Sequence, residues 1–176
     1  DVGQNQLWAT QFLELGEGRK MLTSGGLGTM GYGFPAAIGA KAGNPDTDVI
    51  VISGDGGFQM NVQEMATAVA YELPVIICIF NNGYLGNVRQ WQEMFFDRHY
   101  SSTCIQRRKS CPLPCNSPGE NCPDYIPDFI KLAGSYGNVI KIRKYHYIRT
   151  DMSIKHICFF MQKTLDKPAP KCGEAP

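Results

Sequence analysis

The residues best suited to chemistry are Asp55, inside Gly54-Asp55-Gly56, and Asn82, the second of the pair Asn81-Asn82. A carboxylate oxygen and a side-chain amide oxygen are hard donors of the kind Mg²⁺ accepts. That ion usually completes its octahedral shell with water and ligand phosphates. The glycines beside Asp55 remove side chains, so backbone N–H groups can approach a phosphate closely. A lone Gly-Asp-Gly after a strand is ordinarily just a turn. Its pairing with Asn81-Asn82 about 27 positions later, close to the span of one strand–helix–strand unit, points instead to a metal-bridged diphosphate.

The flanking elements decide whether the two residues meet. Val49-Ile50-Val51-Ile52 ends just before Gly54, and Val75-Ile76-Ile77-Cys78-Ile79-Phe80 ends just before Asn81. Both runs are continuously apolar, as in strands buried on both faces of a parallel sheet. Between them Asn61-Val62-Gln63-Glu64 has the spacing of a capping box, and Val62, Met65, Ala66 and Val69 form one helical stripe that Pro74 forbids from continuing. A right-handed crossover then brings both strand tips to one edge, where ligands bind in open α/β folds. The expected fold class is α/β, an open, mainly parallel sheet with helices on both faces.

Elsewhere, Trp8 to Leu15 reads as a short helix with Trp8 and Phe12 packed inward. Gly25–Gly33 leads into a small-residue helix over Ala36–Ala42, broken at Gly43-Asn44-Pro45. Asn87–Phe96 reads as a helix with Val88, Trp91 and Phe95 on one face, and Pro127–Tyr136 as another ending at Gly137. A competing class is a dinucleotide-binding oxidoreductase, since Gly26, Gly28 and Gly31 match its glycine fingerprint and Asp55 falls near the ribose-binding acid. That reading leaves Asn81-Asn82 unused and has only the short Lys20-Met21-Leu22-Thr23 as a preceding strand.

The stretch from Thr23 through Ala40 resembles the corresponding segment of the acetolactate synthase (acetohydroxyacid synthase) large subunit, a thiamine-diphosphate enzyme. So do Asp1-Val2-Gly3-Gln4, Gly54 through Gln63, and Asn81 through Gly86 running into Val88-Arg89-Gln90-Trp91-Gln92. The resemblance covers about residues 1–137 and implies that the chain is a C-terminal thiamine-diphosphate domain, starting just after a missing first strand. It implies that Asp55, Asn82 and the backbone carbonyl of Tyr84 hold Mg²⁺. Gly54, Gly56 and Gly57, with the backbone of Leu85 and Gly86, would cradle the diphosphate. Gly28, Thr29 and Met30 would lie under the middle of the cofactor, Met30 as the wedge that bends it, although Met30 also suits an ordinary core. Trp91 would shape the substrate entrance or, alternatively, pack on a helix face. Two positions depart from the family: Asn87 stands where methionine is usual, and Asn5 where histidine is usual.

The implied reaction condenses pyruvate with pyruvate or 2-ketobutyrate, with loss of CO2, in branched-chain amino acid biosynthesis. FAD would be held mainly by another domain. The implied assembly is a homodimer or tetramer of the full-length subunit, with a possible regulatory small subunit. The glutamate that activates thiamine would come from the first domain of a partner subunit, so no catalytic residue is assigned to this chain, which is expected to be inactive alone. Alternatives are another thiamine-diphosphate-dependent 2-keto acid decarboxylase or oxidase, and a non-catalytic gene fragment.

Composition sets the remaining bounds. A net charge of +1 in 176 residues argues against nucleic-acid binding, and no apolar stretch approaches the length of a membrane span. The expected location is the cytoplasm. There are seven cysteines. Cys78 belongs to a strand, whereas Cys104, Cys111, Cys115 and Cys122 cluster in a loop spanning about 101–123. They suit either a metal site of unusual spacing or free thiols in an insertion. Residues 138–176 carry eight Lys and Arg against three acids and read as an atypical basic tail, expected to be disordered apart from a possible strand at Val139 to Ile142.

Overall fold

Two apolar runs become the strands that organise this chain. In the computed structural model they are β1 (Ile50–Gly54) and β2 (Val75–Asn81), paired in parallel. The structure describes residues 1–106, 109, 111 and 126–137, and the backbone of 140–146. Cys115, Cys122 and the tail beyond residue 146 lie outside the described residues.

β3 (Ile140–His146) pairs in parallel with β2 from Val75↔Ile140 to Asn81↔His146, giving the order β1-β2-β3. The sheet therefore extends past residue 137, where the sequence reading begins an atypical tail. Central β2 needs a partner on each edge for its backbone N–H and C=O groups. The segment Ile140-Lys141-Ile142 supplies alternating apolar and charged residues for that edge.

Alternation along the strands splits the interior in two. Val51, Val75, Ile77 and Ile79 pack on one face against α2 (Gly33–Gly43), α4 (Met65–Ala70) and α6 (Phe129–Ser135). Phe58 ties this core together, with ring centroids 5.4 Å from Phe34 and 5.5 Å from Phe129. Each fully buried Val, Ile or Phe contributes about 1.5–3 kcal/mol relative to exposure. On the opposite face Cys78 and Phe80 meet Trp8 of α1 (Gln4–Phe12), while Ile50, Ile52 and Ile76 remain half-buried. Asp128 caps α6 through its carboxylate, which accepts from the backbone N–H groups of Ile130 and Lys131.

Several expectations need correction. The helix after β1 begins at once, as α3 (Asp55–Met60), and not at Asn61. Asn61 breaks it at φ −134°, and its side chain donates to Gly31 O at 2.8 Å instead of capping. A 3₁₀ turn over Val62–Glu64 follows, tighter than an α-turn, and shifts the helical phase. Ala68 rather than Ala66 consequently joins Met65 in the core. α1 starts at Gln4, which turns Trp8 inward but leaves Phe12 exposed. α5 (Gly86–Phe95) buries none of its residues, and Trp91 is 54% exposed, which removes only the alternative that it packs on a helix face.

Candidate functional site: two adjacent strand tips

Register brings the predicted pair together. Gly54 is the partner of Phe80, so Asp55 stands one residue beyond that rung on β1 and Asn82 two beyond it on β2. Gly54 is extended, and Asp55 opens α3 directly. Asp55 is 1% exposed, and its carboxylate accepts from backbone donors that include Gly56 N–H at 3.0 Å on Oδ1 and Gly83 N–H at 2.7 Å on Oδ2. The second bond crosses from one strand tip to the other. Burial pushes the carboxyl up to about 6, opposed by backbone N–H groups of Gly83, Gly56, Asp55 itself and Asn82.

Asn82 sits in a turn made possible by Gly83 at φ +75°, a left-handed conformation that glycine adopts without a Cβ penalty. The Tyr84 N–H donates to Asn82 Oδ1 at 3.0 Å, an Asx-type bond that fixes the amide oxygen. Asn82 Nδ2 donates to Gln4 Oε1 at 3.4 Å. Four residues after Asn82, α5 begins at Gly86, where an added Cβ would collide with Gln4 Oε1 and approach Asn82 Nδ2 to 2.9 Å.

A cleft opens over these tips, lined by Gly54 to Gly57, Asn82 and residues 84–86, with Met30 on one wall. A Cβ on Gly56 would come within 3.2 Å of Leu85 and 3.3 Å of Met30, so the glycine backbone forms the floor between two apolar side chains. Gly28 and Thr29 do not line it. They occupy an exposed turn, in which Thr29 N–H donates to Ser24 Oγ and Gly28 adopts φ +63°. Trp91 is also outside the lining, although Val88, one turn earlier on α5, belongs to it. Sequence reasoning placed none of Gln4, Trp8 and Val88 in the site, yet all three line the cleft. For Gln4 the signal was present, in the motif Asp1-Val2-Gly3-Gln4. Asn5 is buried, and its amide donates to Asp1 O and Ile52 O, a bracing role.

No strand precedes the glycines at 26, 28 and 31 among the described residues, and the segment forms turns. That removes the strand–turn–helix context a dinucleotide fingerprint requires. Among the described residues no group of three or more His, Cys, Asp or Glu is placed to hold a metal. Cys104 is a free thiol and joins Tyr84 in an antiparallel bridge. No helix among the described residues is long and apolar enough to cross a membrane.

Several features suit a metal-bound diphosphate. The Asp55 carboxylate and Asn82 Oδ1 are both oriented by backbone N–H donors, which holds a hard oxygen of each at the rim of the cleft. The floor is glycine backbone. A class of protein follows from this: an α/β domain that binds an anionic cofactor at parallel strand tips.

The family described as "Thiamine pyrophosphate enzyme, C-terminal TPP binding domain" matches residues 1–158, and the chain belongs to it. The sequence reading ends the resemblance at Asn138, whereas this match continues through β3. The chain is 49% identical over 144 residues to the probable acetolactate synthase large subunit of Methanococcus aeolicus, covering 82% of this chain and 21% of that protein. It is 50% identical over 137 residues to the corresponding protein of Methanocaldococcus jannaschii, covering 78% of this chain and 20% of that protein. Against the acetolactate synthase large subunit of Haemophilus influenzae it is 40% identical over 172 residues, or 95% of this chain and 27% of that protein. The chain thus spans about a fifth to a quarter of the length of these relatives.

Proposed function

We propose that this chain is the thiamine-diphosphate- and Mg²⁺-binding part of an acetolactate synthase, which condenses pyruvate with pyruvate or 2-ketobutyrate and releases CO2. The observation that carries the reading is the Gly54↔Phe80 register, which sets Asp55 and Asn82 on one rim joined by the Gly83-to-Asp55 bond of 2.7 Å. In this reading Asp55, Asn82 and the Tyr84 carbonyl hold Mg²⁺. Gly54, Gly56 and Gly57 with the backbone of Leu85 and Gly86 receive the diphosphate. Met30 and Leu85, which flank Gly56, supply apolar walls that exclude water. Thiamine diphosphate supplies, when bound, a carbon nucleophile and an electron sink for decarboxylation. The names of the three relatives, all acetolactate synthase large subunits, favour this activity over that of another thiamine-diphosphate decarboxylase or oxidase.

The rest of the proposal concerns what the chain joins. FAD and the glutamate that activates thiamine belong to other domains, the assembly contains at least two subunits with a regulatory small subunit, and the site of action is the cytoplasm. Thermal unfolding tests the binding reading. Thiamine diphosphate with Mg²⁺ at a hundred times its dissociation constant should add about 2.7 kcal/mol of stability. NAD should add none. Equal protection with and without Mg²⁺ would overturn the metal-bridged site.

A further inference from the structure

We propose that Gln92, which lies outside the cleft, is a positioning residue for the loop that carries Asn82 and the Tyr84 carbonyl. This proposal rests on the metal-bridged reading of that loop. Gln92 lies on α5, and its side chain makes three bonds to the segment that returns from the end of that helix. Its Nε2 donates to Ser101 O at 2.9 Å, and its Oε1 accepts from Ser101 N–H at 3.2 Å and from Thr103 Oγ1 at 3.3 Å. Thr103 is only 3% exposed, so its hydroxyl is committed to this contact.

The pinned segment then grips the loop. Leu85 N–H donates to Thr103 O at 2.8 Å, and Ile105 N–H donates to Gly83 O at 3.0 Å. These two bonds bracket Tyr84 in its bridge with Cys104. Gly83 is also the residue whose N–H reaches Asp55. A single chain of contacts therefore runs from Gln92 through Ser101 and Thr103 to Gly83–Leu85, and across to Asp55. A second clasp closes the same arc: the Arg89 guanidinium lies 4.4 Å from the Tyr84 ring centroid and 3.8 Å from that of Tyr100. Without the Gln92 bonds the returning segment loses its anchor on α5, and the loop keeps its sequence but loses its support. Supports behind a ligand shell commonly matter tenfold or more for metal affinity.

The test uses the full chain, with amide hydrogen exchange and Mg²⁺ titration at saturating thiamine diphosphate. Gln92→Met keeps the length of the side chain and removes all three bonds. The Leu85 and Ile105 amides should exchange about tenfold faster, with Ile77 and Ile79 of β2 unchanged. Mg²⁺ affinity should fall about five- to tenfold. Unchanged exchange overturns the proposal. Faster exchange with unchanged Mg²⁺ affinity also overturns it, by making the contact merely structural. Should Gln92→Met lose β2 protection as well, Thr103→Val and Thr103→Ser decide the matter. Faster exchange in the valine variant, restored by serine, supports the proposal, and equal exchange overturns it. A wild-type chain that takes up no Mg²⁺ would sink the diphosphate reading and this proposal, while its exchange comparison still separates a loop anchored by Gln92 from one that is not.

Discussion

The two strand tips hold their oxygen donors in opposite ways. Asp55 follows β1 without a turn, lies 1% exposed, and has each oxygen fixed by a backbone N–H. Asn82 follows β2 into a turn, is half-buried, and depends on Tyr84 N–H, Gln4 and a segment pinned from α5. The charged donor is thus preorganised by the strand–helix junction itself, and the neutral donor by contacts assembled from distant parts of the chain. Rigidity sits where the electrostatic stake is largest, because a misplaced carboxylate in a buried site costs more than a misplaced amide.

The largest effect should come from removing the charge. Asp55→Asn should weaken Mg²⁺-dependent thiamine diphosphate binding about 100-fold, the upper end of what even supporting residues cost at metal sites. Calorimetric titration of both proteins at pH 7 checks this, and a loss below about tenfold would place the ion elsewhere. The same pair reports the buried charge. Folded Asp55 keeps its proton up to about pH 6, whereas the unfolded group releases it near the ordinary 3.8. Between those values the folded state binds more protons, so the contribution of this group to stability falls as pH rises through that window. In the absence of metal, wild type should lose about 2 kcal/mol relative to Asp55→Asn between pH 4 and pH 7. The amide introduces its own offset, since its NH2 must face Gly56 N–H or Gly83 N–H. The slope of the difference with pH is therefore the test, and a flat difference would mean that Asp55 is solvated.

Legibility followed the same division. Asp55, Asn82 and the parallel β1–β2 unit were readable because apolar runs and their turn residues are local signals. The start of α3 at Asp55 was not, because Asn61-Val62-Gln63-Glu64 carries a genuine helix-start pattern. The chain instead spends the Asn61 amide on Gly31 O, a partner 30 residues away. Phe12 misled for a related reason. Helical spacing identifies a face but not what covers it, and Phe12 is exposed. Gln4 and Gln92 were legible only as members of quoted motifs, because their importance lies in tertiary bonds to Asn82 and Thr103. β3 was half-visible at Val139 to Ile142, hidden by the basic residues that surround it.

Smaller effects should separate the supports of the second tip. Asn82→Ala removes a neutral donor and should cost about tenfold in Mg²⁺ affinity, less than Asp55→Asn because no charge is lost. An equal or greater loss would reverse the order of the two tips. Gln4→Ala should cost only about twofold, since its bond to Asn82 is long at 3.4 Å and such a bond is worth little net. The Asx-type bond from Tyr84 N–H, at 3.0 Å, stays intact in that variant and keeps the amide oxygen aimed. Titrating Mg²⁺ into Gln4→Ala beside Asn82→Ala makes the comparison direct. If the two variants lose the same affinity, the turn does not orient Asn82 by itself, and the opening segment of the chain becomes an essential part of the second tip.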